Sequence, residues 1–181
     1  KIPRDEVSAS TWASLGIPKE RIAYLGKEDN FWIPGDMGPC GTDTEIFYWR
    51  SDEEVPQVFH PEDERWVEIW NNVFMEFYQD QDGNITELKQ KNVDTGMGLE
   101  RVVAVLENVN DNYLTSIWKN LREKLESISH KTYEGNEEAM RIIMDHVRTS
   151  VFIAADPAGI KPSNTDQGYI LRRLIRRAIR Y

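Results

Sequence analysis

From Trp66 to Tyr78 the chain alternates. Val67, Ile69, Val73, Met75 and Phe77 occupy odd positions, with one polar residue, Asn71, among them. A period of two sustained over that length predicts a β-strand. Gln79 to Asn84, with Asp82-Gly83 inside, reads as a hairpin turn, and Ile85 to Leu88 as the returning strand. Upstream, Ile22 to Leu25 and Glu45 to Trp49 read as strands. A short helix is expected before them, capped by Ser8 or Ser10, carrying Trp12 and Leu15 on one side and broken by Gly16-Ile17-Pro18. Past residue 98 the period changes. Leu99, Val102, Val103 and Leu106 mark one helix, and Leu114, Ile117, Trp118, Leu121 and Leu125 mark another over about 112–128. Met140, Ile143, Met144, Val147 and Val151 form the apolar stripe of a third, which starts at Asn136-Glu137-Glu138. A last helix begins near Asp166 and is expected to bury Leu171, Leu174, Ile175 and Ala178.

Three irregular segments separate these elements. Residues 34–42 carry three glycines and two prolines and read as a constrained loop. Residues 51–65 are acid-rich with Pro56 and Pro61, which predicts a solvated connection, and Asp156 to Pro162 is a Gly/Pro loop. Strands come first without βαβ alternation and helices follow, so the fold class is α+β with an antiparallel sheet to about residue 110 and a helical region after it. Nothing repeats internally.

Composition adds a charge asymmetry. The net charge is −9 over 181 residues, yet the last twelve residues hold Arg172, Arg173, Arg176, Arg177 and Arg180 and no acid. Acidic bulk with one concentrated basic stripe suits a protein that meets an anionic partner at a defined place; a helix made Arg-rich for solubility alone is the plainer alternative. No apolar run approaches the ~20 residues of a membrane span, so no membrane partner is expected and a cytoplasmic location is. Cys40 is alone, which rules out an internal disulfide and fits a reducing compartment. A chain that begins at Lys1 and stops after a strongly helical pattern reads as a piece of a longer protein.

The stretch with most chemistry is Val93-Asp94-Thr95-Gly96-Met97-Gly98-Leu99-Glu100-Arg101-Val102. Alternation in an extended segment puts Gly96 and Gly98 on one bare face, against which a flat group such as a nucleotide ring can lie. Arg101 opens the following helix, where a guanidinium and free N–H groups meet phosphate well. Asp94 is either a turn or capping residue or a free carboxylate able to bind an ammonium group. Asn71 is either a core amide bonded to a neighbouring strand or one that orients a small polar ligand. Trp32 is an ordinary core aromatic or a pocket wall. His60, His130 and His146 lie far apart and read as surface or capping residues, so neither a metal site nor a zinc cluster is expected.

The Val93–Val102 stretch resembles the third signature motif of class II aminoacyl-tRNA synthetases, in the form carried by alanyl-tRNA synthetases. Three further segments are similar to that family, in the same order. They are Asn30-Phe31-Trp32 with Gly38-Pro39-Cys40-Gly41 and Thr44-Glu45-Ile46-Phe47-Tyr48; Glu68 to Met75; and Pro162-Ser163-Asn164 with Gly168 to Arg173. One departure is Asp43, where many members carry a second cysteine.

The resemblance implies that residues 1–110 are the C-terminal part of a class II aminoacylation domain and 111–181 the start of a helical tRNA-recognition region. It implies ATP-dependent activation of L-alanine to alanyl-adenylate and transfer to tRNA(Ala), with Mg²⁺ accompanying ATP. Carried over residue by residue, Trp32, Asn71, Asp94 and Gly96 would bind alanine, and Gly98 and Arg101 would bind ATP. Asn164 would read a G·U wobble pair, and Arg172, Arg173, Arg176 and Arg177 would hold acceptor-stem phosphates. The class II scheme also needs an arginine from a second motif, expected upstream of Lys1, so the piece alone is expected to be inactive. A freestanding editing hydrolase is disfavoured by the missing zinc signature, and a non-catalytic RNA-binding relative by the intact Asp94 and Arg101.

Overall fold

The computed structural model describes residues 4–181. They form two compact units, one running to Asn110 and the other from Asp111.

The first unit opens with α1, Glu6–Ser14. Its cap is Asp5, whose carboxylate accepts from the Ser8 N–H at 2.9 Å and the Ser8 hydroxyl at 2.6 Å. Ser8, an expected cap, is therefore the first-turn residue that the cap reaches; a carboxylate takes two donors there and outcompetes a hydroxyl. Trp12 Nε1 donates to Thr44 Oγ1 at 2.9 Å and ties α1 to the sheet.

Four strands follow as an antiparallel meander in the order β1-β2-β3-β4: β1 Phe31–Trp32, β2 Gly38–Trp49, β3 Trp66–Gln79 and β4 Ile85–Met97. The expected strand at Ile22–Leu25 does not form. A short 3₁₀ turn, Lys19–Arg21, precedes it, and the Leu25 N–H is taken by the side-chain oxygen of Asn30 at 3.1 Å rather than by a neighbouring strand. Beyond its two-residue pairing with β1, the outer edge of β2 has no strand partner among the described residues. A cleft of about 790 Å³ borders it, lined by consecutive residues 42–47, by Trp12 of α1 and by Leu25.

Strand β2 begins seven residues earlier than the sequence suggests, inside the Gly/Pro-rich segment. Its glycines serve a close approach rather than a loop. Cys40 opposes Phe77 but Asp43 opposes Val73, so β3 holds one extra residue across that interval. This bulge presses the β3 backbone inward. A Cβ on Gly41 would lie 1.5 Å from the Phe74 carbonyl oxygen, so no other residue fits.

The acid-rich segment 51–65 is irregular, as expected, but it is pinned rather than merely solvated. Arg65 bonds Glu53 at 2.6 Å and Asp63 at 2.7 Å, and its guanidinium stacks 4.6 Å over the Trp49 ring. Phe59 reaches back to Phe47 and Trp66 with ring centroids 5.0 and 5.5 Å away. Helix α2, Leu99–Leu106, leaves β4 and buries Ala104.

The second unit contains α3 Ser116–Ser129, α4 Glu137–Ala155 and α5 Asp166–Arg180. Trp118, Tyr133, Met140 and Met144 form its core, with Tyr113, Leu121 and Leu125 packed against them. The stripe expected along α4 holds only in its first half: Met140 and Met144 are buried, Val147 and Val151 are exposed, and Ser150 is the next buried position. On α5, Leu171 is fully buried and Ile175 is 36% exposed. His130 ends α3 in the left-handed conformation (φ 56°), a capping role.

At the head of this unit Asp111 is held by three donors. Tyr133 Oη donates to its carboxylate at 2.6 Å, Arg141 Nη2 at 2.5 Å, and the Tyr113 N–H at 2.9 Å. Arg141 Nε also donates to Tyr133 Oη at 2.8 Å, closing a triad.

Candidate functional site

Strand register decides which side chains share a face. Asn71 of β3 stands opposite Gly96 of β4 and opposite Glu45 of β2, and Val73 stands opposite Asp94 and Asp43. Directly opposed residues project to the same side, as do positions two apart. Asp43, Glu45, Asn71, Asp94 and Gly96 therefore share one face across three strands. Gly96 meets nothing where a Cβ would be, so β4 presents bare backbone beside Asn71.

Asn71 is half-buried. Its Nδ2 donates to Glu45 Oε1 at 3.1 Å, whereas its Oδ1 is buried and has no partner. One end of the amide is bonded to the neighbouring strand, and the other is left open. A buried carbonyl without a donor costs ~1–3 kcal/mol, which a ligand N–H or O–H would recover. Asp94 is exposed; one carboxylate oxygen accepts from the Thr95 N–H at 2.8 Å.

Trp32 does not join this group directly. It opposes Gly41, so it stands two strands from Asn71 and four residues along β2 from Glu45. Gly98 lies just past β4, and its missing side chain makes room for Arg101, whose Cδ would be 3.1 Å from a Cβ there. The Arg101 side chain is exposed but tethered to β3. Its Nη1 donates to the Glu68 carbonyl at 2.8 Å and pairs with the Glu68 carboxylate at 3.0 Å.

Glu45 and Glu68 lie in segments that resemble the family and Asp43 is the departure from it, but none was assigned to the site, because linear spacing says nothing about which strands bring acids together. Burial raises the Glu45 carboxyl to about 7, helped by the negative charges of Glu68, Asp43 and Asp29 and opposed by Arg101. Burial also raises Asp43, against the Asn30 amide that donates to it at 3.2 Å. Asn30 in turn accepts from the Leu25 N–H, so Asp43 anchors the segment ahead of β1. Cys40, fully buried with its thiol raised by burial, behaves as a small core residue. Among the described residues no group of three or more His, Cys, Asp or Glu side chains is placed to hold a metal ion.

In the helical unit, Asn164 sits in an exposed turn fixed against the start of α5. The Ser163 N–H donates to the Gly168 carbonyl at 3.0 Å, and Ser163 Oγ donates to the Thr165 carbonyl at 2.8 Å. A Cβ at Gly168 would lie 2.4 Å from both the Lys161 carbonyl oxygen and Ser163 Oγ, so glycine is what lets this turn close. Arg172, expected among the phosphate contacts, is half-buried and donates to Asn164 Oδ1. Arg173, Arg176 and Arg177 are exposed; Arg173 lies 5.7 Å over the Tyr169 ring and Arg177 6.0 Å over that of Tyr181. No helix among the described residues is long and apolar enough to cross a membrane.

The sequence that builds this meander and its arginine-bearing helix matches a known family along its whole length. Residues 1–181 fit the family described as tRNA synthetases class II (A), and the chain belongs to that family. Within it, the chain is 50% identical to the alanine--tRNA ligase of Borrelia hermsii and 49% identical to that of Treponema denticola, in each case over 99% of this chain and 31% of the relative. The alanine--tRNA ligase of Anaeromyxobacter dehalogenans is 41% identical over 99% of the chain and 21% of its own length. The chain thus spans about a third or less of the curated relatives it matches.

Proposed function

We propose that this chain is part of an alanine--tRNA ligase, carrying a share of the alanine and ATP site on its sheet and a share of the acceptor-stem contacts on its last helix. What carries the reading is Asn71, Asp94 and Gly96 meeting on one strand face around a buried carbonyl oxygen that lacks a donor. An α-ammonium group supplies what that face lacks: N–H donors for Asn71 Oδ1 and a positive charge for Asp94. Gly96 leaves space for the small substrate; Trp32, two strands away on β1, is assigned to the outer wall of the site by resemblance alone. The alanine carboxylate attacks the α-phosphorus of ATP; the bond to the bridging oxygen breaks and pyrophosphate leaves. Such a step is accelerated by positioning and by charge neutralisation. Arg101 exchanges its Glu68 contacts for phosphate oxygens. Mg²⁺ arrives with the nucleotide and offsets its charge, and no residue of this chain is assigned to it.

On the helical unit, Arg173, Arg176 and Arg177 present guanidinium groups to phosphates of tRNA(Ala), which fixes the RNA without reading its sequence. Asn164 offers its Nδ2 to the wide, shallow minor groove of the acceptor stem, where a short side chain reaches base edges. Arg172 belongs to this reading differently from its neighbours, because it holds the oxygen end of Asn164. Alanine-dependent exchange between pyrophosphate and ATP, measured on the protein that carries this chain, tests the proposal. Exchange stimulated by alanine and not by an unrelated amino acid is expected, and none with alanine would refute it.

A further inference from the structure

Glu45 is a half-buried acid on the same sheet face as Asn71 and Asp94, and nothing in the proposed reaction uses it. We infer that Glu45 is a positioning residue, whose carboxylate holds the Asn71 side-chain N–H and thereby fixes the amide with its oxygen toward the amino acid. The inference rests on the proposed alanine site.

Donors and acceptors decide which way the amide faces. An asparagine amide is nearly symmetric in shape but opposite in polarity at its two ends, and rotation by half a turn would present N–H groups to an ammonium ion. An ionised carboxylate only accepts hydrogen bonds, so at 3.1 Å from Glu45 Oε1 the Asn71 nitrogen must face β2. The oxygen then lies on the other side, buried and without a partner. Strand register enforces the arrangement, since Glu45 and Asn71 are directly opposed in an antiparallel pair. The groups facing Glu45 are Asp29 ahead of β1, Asp43 on β2, Glu68 on β3 and Arg101 on α2. Three of the four are acidic, so the Glu45 carboxylate is short of compensating charge, and burial pushes it up to about 7. Protonated Glu45 could present its O–H to the amide oxygen instead, and would no longer enforce one orientation.

The test uses the full protein that carries this chain, with alanine-dependent pyrophosphate exchange as readout and Glu45→Ala, Glu45→Gln, Asn71→Ala and the double variant Glu45→Ala/Asn71→Ala. Glu45→Ala is expected to raise the KM for alanine about tenfold, while the KM for ATP and kcat stay within about threefold. Glutamine presents either an oxygen or an N–H to Asn71, so Glu45→Gln should fall in between. The double variant should be no worse than Asn71→Ala alone, because Glu45 acts only through that amide. In the wild type the KM for alanine should rise as pH drops through about 7, and Glu45→Gln should remove that rise. An unchanged alanine KM in folded Glu45→Ala, additive effects in the double variant, or an equal pH rise in Glu45→Gln would each overturn the inference. Should Glu45→Ala not fold, the pH profile of Glu45→Gln decides alone. A wild-type protein without alanine-dependent exchange would instead refute the proposed function, so the two failures are told apart.

Discussion

Glu45 on the sheet and Asp111 at the head of the helical unit are both carboxylates drawn partly out of water, and their surroundings push them in opposite directions. Burial works against ionisation at both. At Asp111 it is outweighed by hydrogen bonds from Tyr133, the Tyr113 N–H and Arg141, with the Arg141 charge added, and the group is held below its usual range. At Glu45 the neighbours are mostly acids, the hydrogen-bond donor is a single amide, and the group is raised to about 7. The contrast separates a scaffold from a site. A carboxylate that serves the fold is surrounded by donors from its own chain, whereas Glu45, in the proposed site, has one amide donor and mostly acidic neighbours. Asn71 Oδ1, buried without a donor one strand away from exposed Asp94, shows the same shortage in a neutral group.

The comparison predicts unequal stability effects. Asp111→Ala strips partners from Tyr133 Oη and Arg141 together, and should cost about 2 kcal/mol in thermal or urea unfolding. Glu45→Gln removes a carboxylate that the fold tolerates poorly, and should leave stability within about 0.5 kcal/mol of the parent or raise it. Equal losses at the two positions would remove the distinction between scaffold and site.

A smaller effect follows from pH. Glu45 has a folded value above its unfolded 4.5, so its contribution to stability is complete below about 4.5 and is lost as pH rises through about 7. Asp111 is depressed below 3.8, so its contribution is present above that value and lost as pH falls further. Amide exchange in β3 should therefore slow between pH 8 and about 5.5 once corrected for intrinsic rates, with α3 and α4 unaffected across that window. Protection in α3 and α4 should drop only below about pH 4.

Within α5 the same question can be put to the arginines. Arg172→Ala frees the Asn164 amide and should narrow discrimination between wild-type and wobble-altered tRNA by about threefold to tenfold in aminoacylation efficiency. Arg176→Ala should weaken both tRNAs alike and reduce the salt slope by about one. The reverse pattern would make Arg172 a phosphate contact like its neighbours.

Much of this architecture is visible in the periodicity. Strand β3 and the helices from α2 to α5 follow from apolar spacing and the hairpin after β3 from Asp82-Gly83, although α4 buries its stripe only in its first half. Strand β2 was obscured by its own chemistry: Gly38, Pro39 and Gly41 look like a loop, yet Gly41 is small to admit the Phe74 carbonyl. Strand β4 runs nine residues past Leu88 through exposed, mostly polar positions, held by pairing with β3 rather than by burial. Ile22–Leu25 shows the converse, an apolar run with no partner to pair with. Asn71, Asp94 and Gly96 could be singled out as candidates from pattern and resemblance, but their shared face depends on register. Glu45 had no signal of its own; its position opposite Asn71 could be found only once β2 and β3 were aligned.

The central claim is that the Asn71–Asp94–Gly96 face receives the amino acid by its ammonium group. Asp94→Asn in the full protein tests it most directly, since it keeps the size of the side chain and removes its charge. The account predicts a KM for alanine raised about 10- to 100-fold in pyrophosphate exchange, with the KM for ATP within about twofold of the parent. An unchanged KM for alanine, or a loss confined to ATP, would contradict it.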